Sequence, residues 1–285
     1  MAVSQLFIYF LFFSAGFVLV SLWSFWLSVR PPQITLGFTP DEFGLSAEDV
    51  VLTADDGAKL AAWFIGEGAG ESKRAIILLH GYPAEKSDML SVARALHPEF
   101  AVLLMDLRSF GESEGAYTTL GLKESRDVAK ALDFLTERGY GHIGIFGFSL
   151  GGSTALLAAA EDSRPLAVAS YGAFADLRML GHETYRSLLV LKYPLVALME
   201  LWARLLFGEW ADPAAPVGAA ERLTIPVLII HNREDEQISF THAERLREAL
   251  SNNEAAEFYD VKEGRHGVLP ADFEQRVKAF FVKSL

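Results

Sequence analysis

Ile143-Gly144-Ile145-Phe146-Gly147-Phe148-Ser149-Leu150-Gly151-Gly152-Ser153 decides how this chain is read. It opens as a short apolar run with β-branched residues, which suits a buried strand. It breaks at Gly-Phe-Ser-Leu-Gly and resumes as Ser-Thr-Ala-Leu-Leu-Ala-Ala-Ala, which suits a helix. A Gly-x-Ser-x-Gly turn between strand and helix forces an uncomfortable backbone on Ser149, and neighbours bearing a Cβ would collide. Gly147 and Gly151 remove that obstacle. The serine oxygen then stands above the sheet, at the start of a helix whose free N–H groups favour negative charge. Five residues of this kind could also be a plain connecting turn, so the reading depends on what flanks and follows them.

Working outward, residues 50–53 and 60–65 read as a hairpin with its turn at Asp56-Gly57. Residues 75–79 and 101–105 are apolar runs of strand length, of the kind found where both faces of a sheet are covered. Helices are expected near 87–96 and 122–138, strands at 166–170, 225–230 and 253–261, and helices at 242–250 and 273–282. Strands alternating with helices after an opening hairpin predict an α/β fold, a mostly parallel central sheet with helices on both faces. Residues 176–220 break the alternation. The apolar, aromatic run 188–206 contains Tyr193-Pro194 and is followed by Phe207-Gly208-Glu209-Trp210. A small helical cap over the sheet's C-terminal edge, its inner side shaping an apolar pocket, is the expectation. Another core helix is the plain alternative; a second membrane span is disfavoured by Lys192, Pro194, Glu200 and Arg204.

The first thirty residues have a different character. Residues 2–29 carry no charged side chain, and the apolar run is long enough for a bilayer, which takes roughly 20 residues. Trp23 and Trp26 suit an interfacial belt, and Arg30-Pro31-Pro32 ends the helix. A cleaved signal peptide would want a basic leader and a shorter core. The expectation is therefore a transmembrane anchor over residues 1–30, a linker over 31–47 and one domain over 48–285. Arg30 on the C-terminal flank, with no basic residue before the span, favours a single-pass protein with its domain in the cytoplasm. The net charge of −12 and the lack of any basic stripe argue against nucleic acid. With no cysteine, disulfides, thiolate metal sites and a cysteine nucleophile are excluded.

Sites in open α/β sheets lie at the C-terminal ends of strands. Four such ends carry suggestive groups: His80-Gly81-Tyr82-Pro83, Ser149, Asp235 in Asn232-Arg233-Glu234-Asp235-Glu236-Gln237-Ile238, and His266 in Gly264-Arg265-His266-Gly267. Ser149 is a poor nucleophile until a base takes its proton; His266 has the right ordinary pKa to do so, and Asp235 would hold the imidazole's tautomer. The backbone N–H groups of Leu150 and Tyr82 are the natural donors to a tetrahedral oxyanion. Among rival acids, Glu234 and Glu236 adjoin Asp235, and Asp176 follows the preceding strand. The Asp-x-x-Ile spacing favours Asp235. His80 and His231 read as structural, and His97, His142, His182 and His242 as surface or packing residues. None has metal-ligand spacing, so no metal and no cofactor are expected.

At this point the chain resembles the α/β-hydrolase superfamily, and within it the membrane-anchored serine hydrolases of the S33 "serine aminopeptidase" and BEM46-like kind. The resemblance covers roughly residues 36–285. It rests on Asp56-Gly57 with Leu60 and Trp63, the His80-Gly81 turn, Asp106-Leu107-Arg108-Ser109-Phe110-Gly111-Glu112-Ser113-Glu114-Gly115, residues 147–151, 225–238 and 264–266. In such proteins the 106–115 loop borders the site and supports the fold. Ser109 and Asn232 stand where glycine is usual, which bears on loop geometry. The resemblance implies a serine hydrolase acting through an acyl-enzyme. The apolar cap and anchor point to an acyl or lipid-like ester as substrate. A peptidase or thioesterase on the same three residues, or a non-catalytic binding protein of the same fold, are the alternatives. A peptidase taking free N-termini would want an acidic anchor, for which Glu183, Glu200 and Glu209 are available. Oligomeric state is left open.

Overall fold

The uncharged N-terminal stretch forms one long helix, α1 (Ala2–Val29), in the computed structural model, which describes residues 2–66, 73–208 and 215–285. Its segment Ser4–Val29 has a mean hydropathy of 2.2, a length and composition that suit a membrane span or a signal sequence. Residues 31–47 then run along the domain: Gln33 donates to the Ser109 carbonyl at 3.0 Å and Leu45 is buried.

The hairpin pairs β1 (Glu48–Thr53) with β2 (Lys59–Ile65), Thr53 opposite Lys59 across the Asp56-Gly57 turn. There follow β3 (Arg74–Leu79), α2 (Leu90–Leu96), β4 (Ala101–Met105), α3 (Leu122–Glu137), β5 (His142–Phe148), α4 (Leu150–Glu161) and β6 (Pro165–Tyr171). An insertion of α5 (Leu177–Thr184), α6 (Lys192–Phe207) and α7 (Pro216–Ala220) precedes β7 (Val227–Asn232), α8 (Phe240–Ala249), β8 (Ala256–Val261) and α9 (Phe273–Ser284). The eight strands form one sheet in the order β1-β2-β4-β3-β5-β6-β7-β8. β2 is antiparallel to both its neighbours, and every pair from β4 to β8 is parallel.

The continuous apolar runs are explained by what covers them. Along β3, Ala75, Ile77 and Leu79 join the core shared with α3, α4 and α8, while Ile76 and Leu78 join the core shared with α2 and α9. Both faces of the pleat are therefore dry, and alternation with polar residues has no place to occur. Each such fully buried Leu or Ile contributes roughly 1.5–3 kcal/mol relative to exposure.

Two expected elements start late, each at a polar side chain. The helix near 87–96 opens as a 3-10 turn, Lys86–Met89, because the Ser87 amide donates to the Glu85 carboxylate and the Lys86 amide to Asp106. The last strand begins at Ala256 because the Asn253 side chain donates to the Leu223 and Ile225 carbonyls, and its own oxygen takes the Ala255 amide. Asn253 thus offers the backbone a local partner that competes with the ladder, whereas Glu85 and Asp106 take first-turn amides that have no acceptor within the helix.

Candidate active site

The turn after β5 is as tight as its glycines imply. Ser149 has φ 53 and ψ −115, a strained backbone for a residue with a side chain. A Cβ on Gly147 would lie 2.1 Å from the Gly151 carbonyl oxygen, and one on Gly151 would lie 2.3 Å from that of Leu79. Neither obstacle can move, since both are backbone. The approach lets α4 start directly above the ends of β5 and β3. The Ser149 amide donates to the Tyr171 carbonyl at 2.8 Å, fastening the turn to β6.

Three of the four strand ends converge on the serine. The Ser149 hydroxyl, 7% exposed, donates to His266 Nε2 at 3.0 Å, and His266 Nδ1–H donates to Asp235 Oδ2 at 2.6 Å. The other Asp235 oxygen accepts the Gln237 and Ile238 amides at 2.9 and 2.8 Å. The Asp-x-x-Ile spacing thus has a physical meaning: the carboxylate caps its own turn with one oxygen and leaves the other for the imidazole. Burial raises the Asp235 pKa, but the hydrogen bonds from His266 and Ile238 outweigh it and hold the carboxyl below its ordinary range. Glu234 is exposed, and Glu236 takes the His266 backbone amide rather than its ring. Asp176 caps α5, accepting the Met179 amide at 2.8 Å. Asp235 is the acid that meets the histidine.

His80 is fully buried and structural. Its Nδ1–H donates to the Gly81 carbonyl at 2.9 Å and its Nε2 accepts the Leu107 amide at 3.0 Å, tying the turn after β3 to the 106–115 loop. Burial lowers its pKa, which keeps the ring neutral, as both bonds require. Gly81 backs onto the serine, since a Cβ there would lie 3.1 Å from the Ser149 Cβ, which brings the turn that carries Tyr82 beside Ser149. Leu150 opens α4, so its N–H has no acceptor within the helix. Asp106 accepts the Lys86 amide and ammonium at 2.7 and 2.8 Å and the Glu112 amide at 2.9 Å, which anchors the loop under this side of the site. Ser109 has φ 69 and so takes the left-handed backbone that glycine usually supplies there. Arg108 forks onto Asp127 at 2.6 Å and reaches Asp56 at 2.9 Å, joining the hairpin turn to α3.

One group holding the histidine loop went unread in the sequence. Asn232, 1% exposed at the end of β7, donates from Nδ2 to the carbonyls of Arg265 at 2.7 Å and Val268 at 3.0 Å. Tyr171 donates to the same Val268 carbonyl at 2.8 Å, and burial pushes its pKa up to about 12, so it stays a donor. The Phe148 ring lies 5.0 Å from the imidazole centroid. The departure from glycine at 232 was the available signal. Two further histidines are held locally: His231 Nε2–H donates to the Ile238 carbonyl at 2.8 Å, and His242 accepts the Ala175 amide at 2.9 Å and faces Glu183 at 3.3 Å. Glu183 also accepts from Ser239, and Glu200 pairs with Arg178; Glu209 lies outside the described residues.

Comparison with known proteins agrees with this architecture. The profile of the alpha/beta hydrolase family matches residues 76–280. The chain belongs to that family. It is 27% identical over 204 residues to the uncharacterized protein YqkD of Bacillus subtilis, a match covering 70% of this chain and 66% of that one. Among solved structures, the Pyrococcus furiosus esterase Pf2001 superposes with a TM-score of 0.74 at 24% identity, covering 89% of this chain and 99% of the esterase. A bacterial membrane phospholipase A superposes with a TM-score of 0.62 at 21% identity, covering 100% of this chain and 99% of its own.

Proposed function

We propose that this chain is a membrane-anchored serine hydrolase that cleaves a carboxylic ester of an acyl or lipid-like substrate. The observation that carries the reading is the hydrogen-bonded series Ser149–His266–Asp235, with both contacts at 3.0 Å or less. In the first step Ser149 Oγ attacks the ester carbonyl while its proton passes to His266 Nε2. Asp235, held as a carboxylate, stabilises the imidazolium and keeps Nδ1 protonated, so that only Nε2 faces the serine. The oxyanion receives the N–H groups of Leu150 and Tyr82; losing one such donor raises the barrier by about 3 kcal/mol. His266 then protonates the departing alcohol, leaving an acyl-Ser149 ester. Water, deprotonated by the same Nε2, attacks that ester, and the acid leaves with Ser149 restored.

The substrate class draws on the two apolar helices α1 and α6. α1 is read as the anchor, and the insertion over 176–220 as the cap, whose α6 is apolar for most of its length. The proteins of similar fold include an esterase and a membrane phospholipase beside an acylaminoacyl peptidase and a dipeptidyl peptidase, which supports a hydrolase and leaves the choice of an ester to the apolar helices. Labelling by a fluorophosphonate probe tests the chemistry. Wild-type protein is expected to label, Ser149→Ala to show none, and His266→Ala to fall steeply. A folded wild-type protein that does not label, or a substrate panel in which amides are cleaved faster than any ester, would overturn the assignment.

A further inference from the structure

The cap and the anchor are one packed unit. The last turns of α1 bury Ser21, Phe25 and Val29, residues four apart on one helix face. Trp202 of α6 donates to the Ser21 hydroxyl at 2.9 Å, and Phe207 packs on Phe25 with ring centroids 5.4 Å apart. The Val29 carbonyl accepts the Thr118 amide at 2.8 Å, and Tyr117 stacks on Phe207 at 4.5 Å, so the exit of α1 is fixed to the domain as well. As numbering rises from Ser21 to Phe25 on α1, it rises from Trp202 to Phe207 on α6. The two helices therefore run in the same sense, and the start of α6 points back along α1 towards its exposed apolar half. At 1.5 Å per residue, Lys192 lies roughly 15 Å behind Trp202 along the α6 axis.

That backward-pointing corner, residues 186–193, is a strongly apolar exposed surface among the described residues of the domain. Leu189 and Val190 are each 74% exposed, with Leu188, Leu191 and Tyr193 beside them. Leu189 sits at φ 50, a left-handed kink within the 186–191 turn. A water-facing surface seldom gathers so many large apolar side chains. The charge fits the same partner. Residues 177–208 carry four Lys or Arg against two Glu, in a chain of net charge −12, and Arg186 and Lys192 bracket the apolar turn.

We infer that the 186–193 corner is inserted into the bilayer that α1 crosses, with Leu188–Leu191 among the acyl chains and Arg186 and Lys192 snorkelling outwards from them. α1 has the length for this. Its 28 residues span about 42 Å, more than the roughly 30 Å of a hydrocarbon core, so a corner roughly 15 Å behind Trp202 falls within the layer rather than at its edge. The helix that leads into the corner is tied to the element after the Asp235 turn, since Glu183 of α5 accepts from Ser239 and faces His242 of α8. Under this inference a lipid-like ester enters the site from the leaflet. The inference rests on the anchor reading of α1 given above.

The absence of cysteine makes the test direct, since single reporters need no background removed. Full-length protein bearing Leu189→Cys, Leu11→Cys or Ser251→Cys, each labelled with a polarity-sensitive fluorophore, is reconstituted in phosphatidylcholine–phosphatidylglycerol vesicles with and without a chain-bound quencher. Labels at 11 and 189 are expected to be quenched, and the label at 251 to be left bright. A label at 189 that stays in water while 11 is quenched overturns the inference; one shielded but not quenched assigns the corner to a second copy of the chain, which also overturns it. If 11 is not quenched either, the anchor reading falls with it, whereas fluorophosphonate labelling of the same samples reports the chemistry independently. The paired variant Leu189→Glu/Val190→Glu is expected to lower hydrolysis of a bilayer-embedded ester about tenfold, as charges in an inserted face weaken surface binding, and to leave a soluble short-chain ester unaffected. Equal loss on both substrates overturns the route from the leaflet.

Discussion

Replacing Asn232 by alanine separates the holding of the histidine loop from the chemistry of the histidine. The amide bridges the carbonyls of Arg265 and Val268, the residues on either side of His266-Gly267. Two facing carbonyls leave no choice about which end of the side chain points at the loop. A net hydrogen bond is worth about 1 kcal/mol, and a buried carbonyl left without a partner costs more. The Val268 carbonyl keeps its bond from Tyr171, so the uncompensated loss falls on Arg265. The expected destabilisation is about 2 kcal/mol, which in a domain of this size lowers the melting temperature by about 4–8 °C. The kinetic effect is larger. A displacement of the base by about 1 Å costs on the order of a hundredfold in rate, so kcat and the rate of fluorophosphonate labelling should fall by about 10- to 100-fold with KM little changed. The assay is a soluble ester followed beside probe labelling and thermal unfolding. A variant that melts lower yet labels at the wild-type rate would show that the amide supports the loop without placing His266, and the reasoning would fail.

Three further outcomes follow from the same geometry. Gly147→Ala puts a Cβ 2.1 Å from a backbone oxygen and should destabilise by about 3 kcal/mol or more, whereas Gly141→Ala, with nothing within 4 Å, should melt close to wild type; similar melting of the two would refute the crowding. Ser149→Gly removes the side chain from a strained backbone at φ 53 and should abolish turnover while raising stability by about 1 kcal/mol; a lower melting temperature would contradict the strain. His80, His231 and His242 are each 1% exposed or less, and burial pushes all three pKa values below 6.5. Because the folded values lie below the unfolded one, the stability these rings contribute is complete above about pH 6.5 and is lost as pH falls from there. Each proton steepens that loss by about 1.4 kcal/mol per pH unit, so a melting temperature flat from about pH 7.5 to about 5.5 would rule out neutral burial.

How much of this was legible in the chain depends on how far apart the partners lie. The strands could be read because each carries its own signal, as β3 does in five consecutive apolar residues bounded by Arg74 and His80. Ser149 could be read because the collision that requires Gly147 is with Gly151, four residues on, although a side chain at Gly151 itself is excluded by the distant Leu79 carbonyl. Asp235 was separable from Glu234 and Glu236 because its carboxylate serves an amide three residues on. The α1–α6 packing had no such signature. Ser21 is one hydroxyl in an apolar helix, and its partner Trp202 is 181 residues away. Asn232 is intermediate: the residue stood out, but its acceptors are 33 and 36 residues distant and are backbone carbonyls, which no sequence pattern marks. The same distinction bears on how the site can vary. The reacting groups and their glycines are constrained by chemistry and steric exclusion at short range, so few residue types can replace them. The groups that orient the loop and dock α6 on α1 act through one or two hydrogen bonds or ring contacts each. Their substitution should therefore tune rate and access to the site while leaving the strand–turn–helix around Ser149 intact.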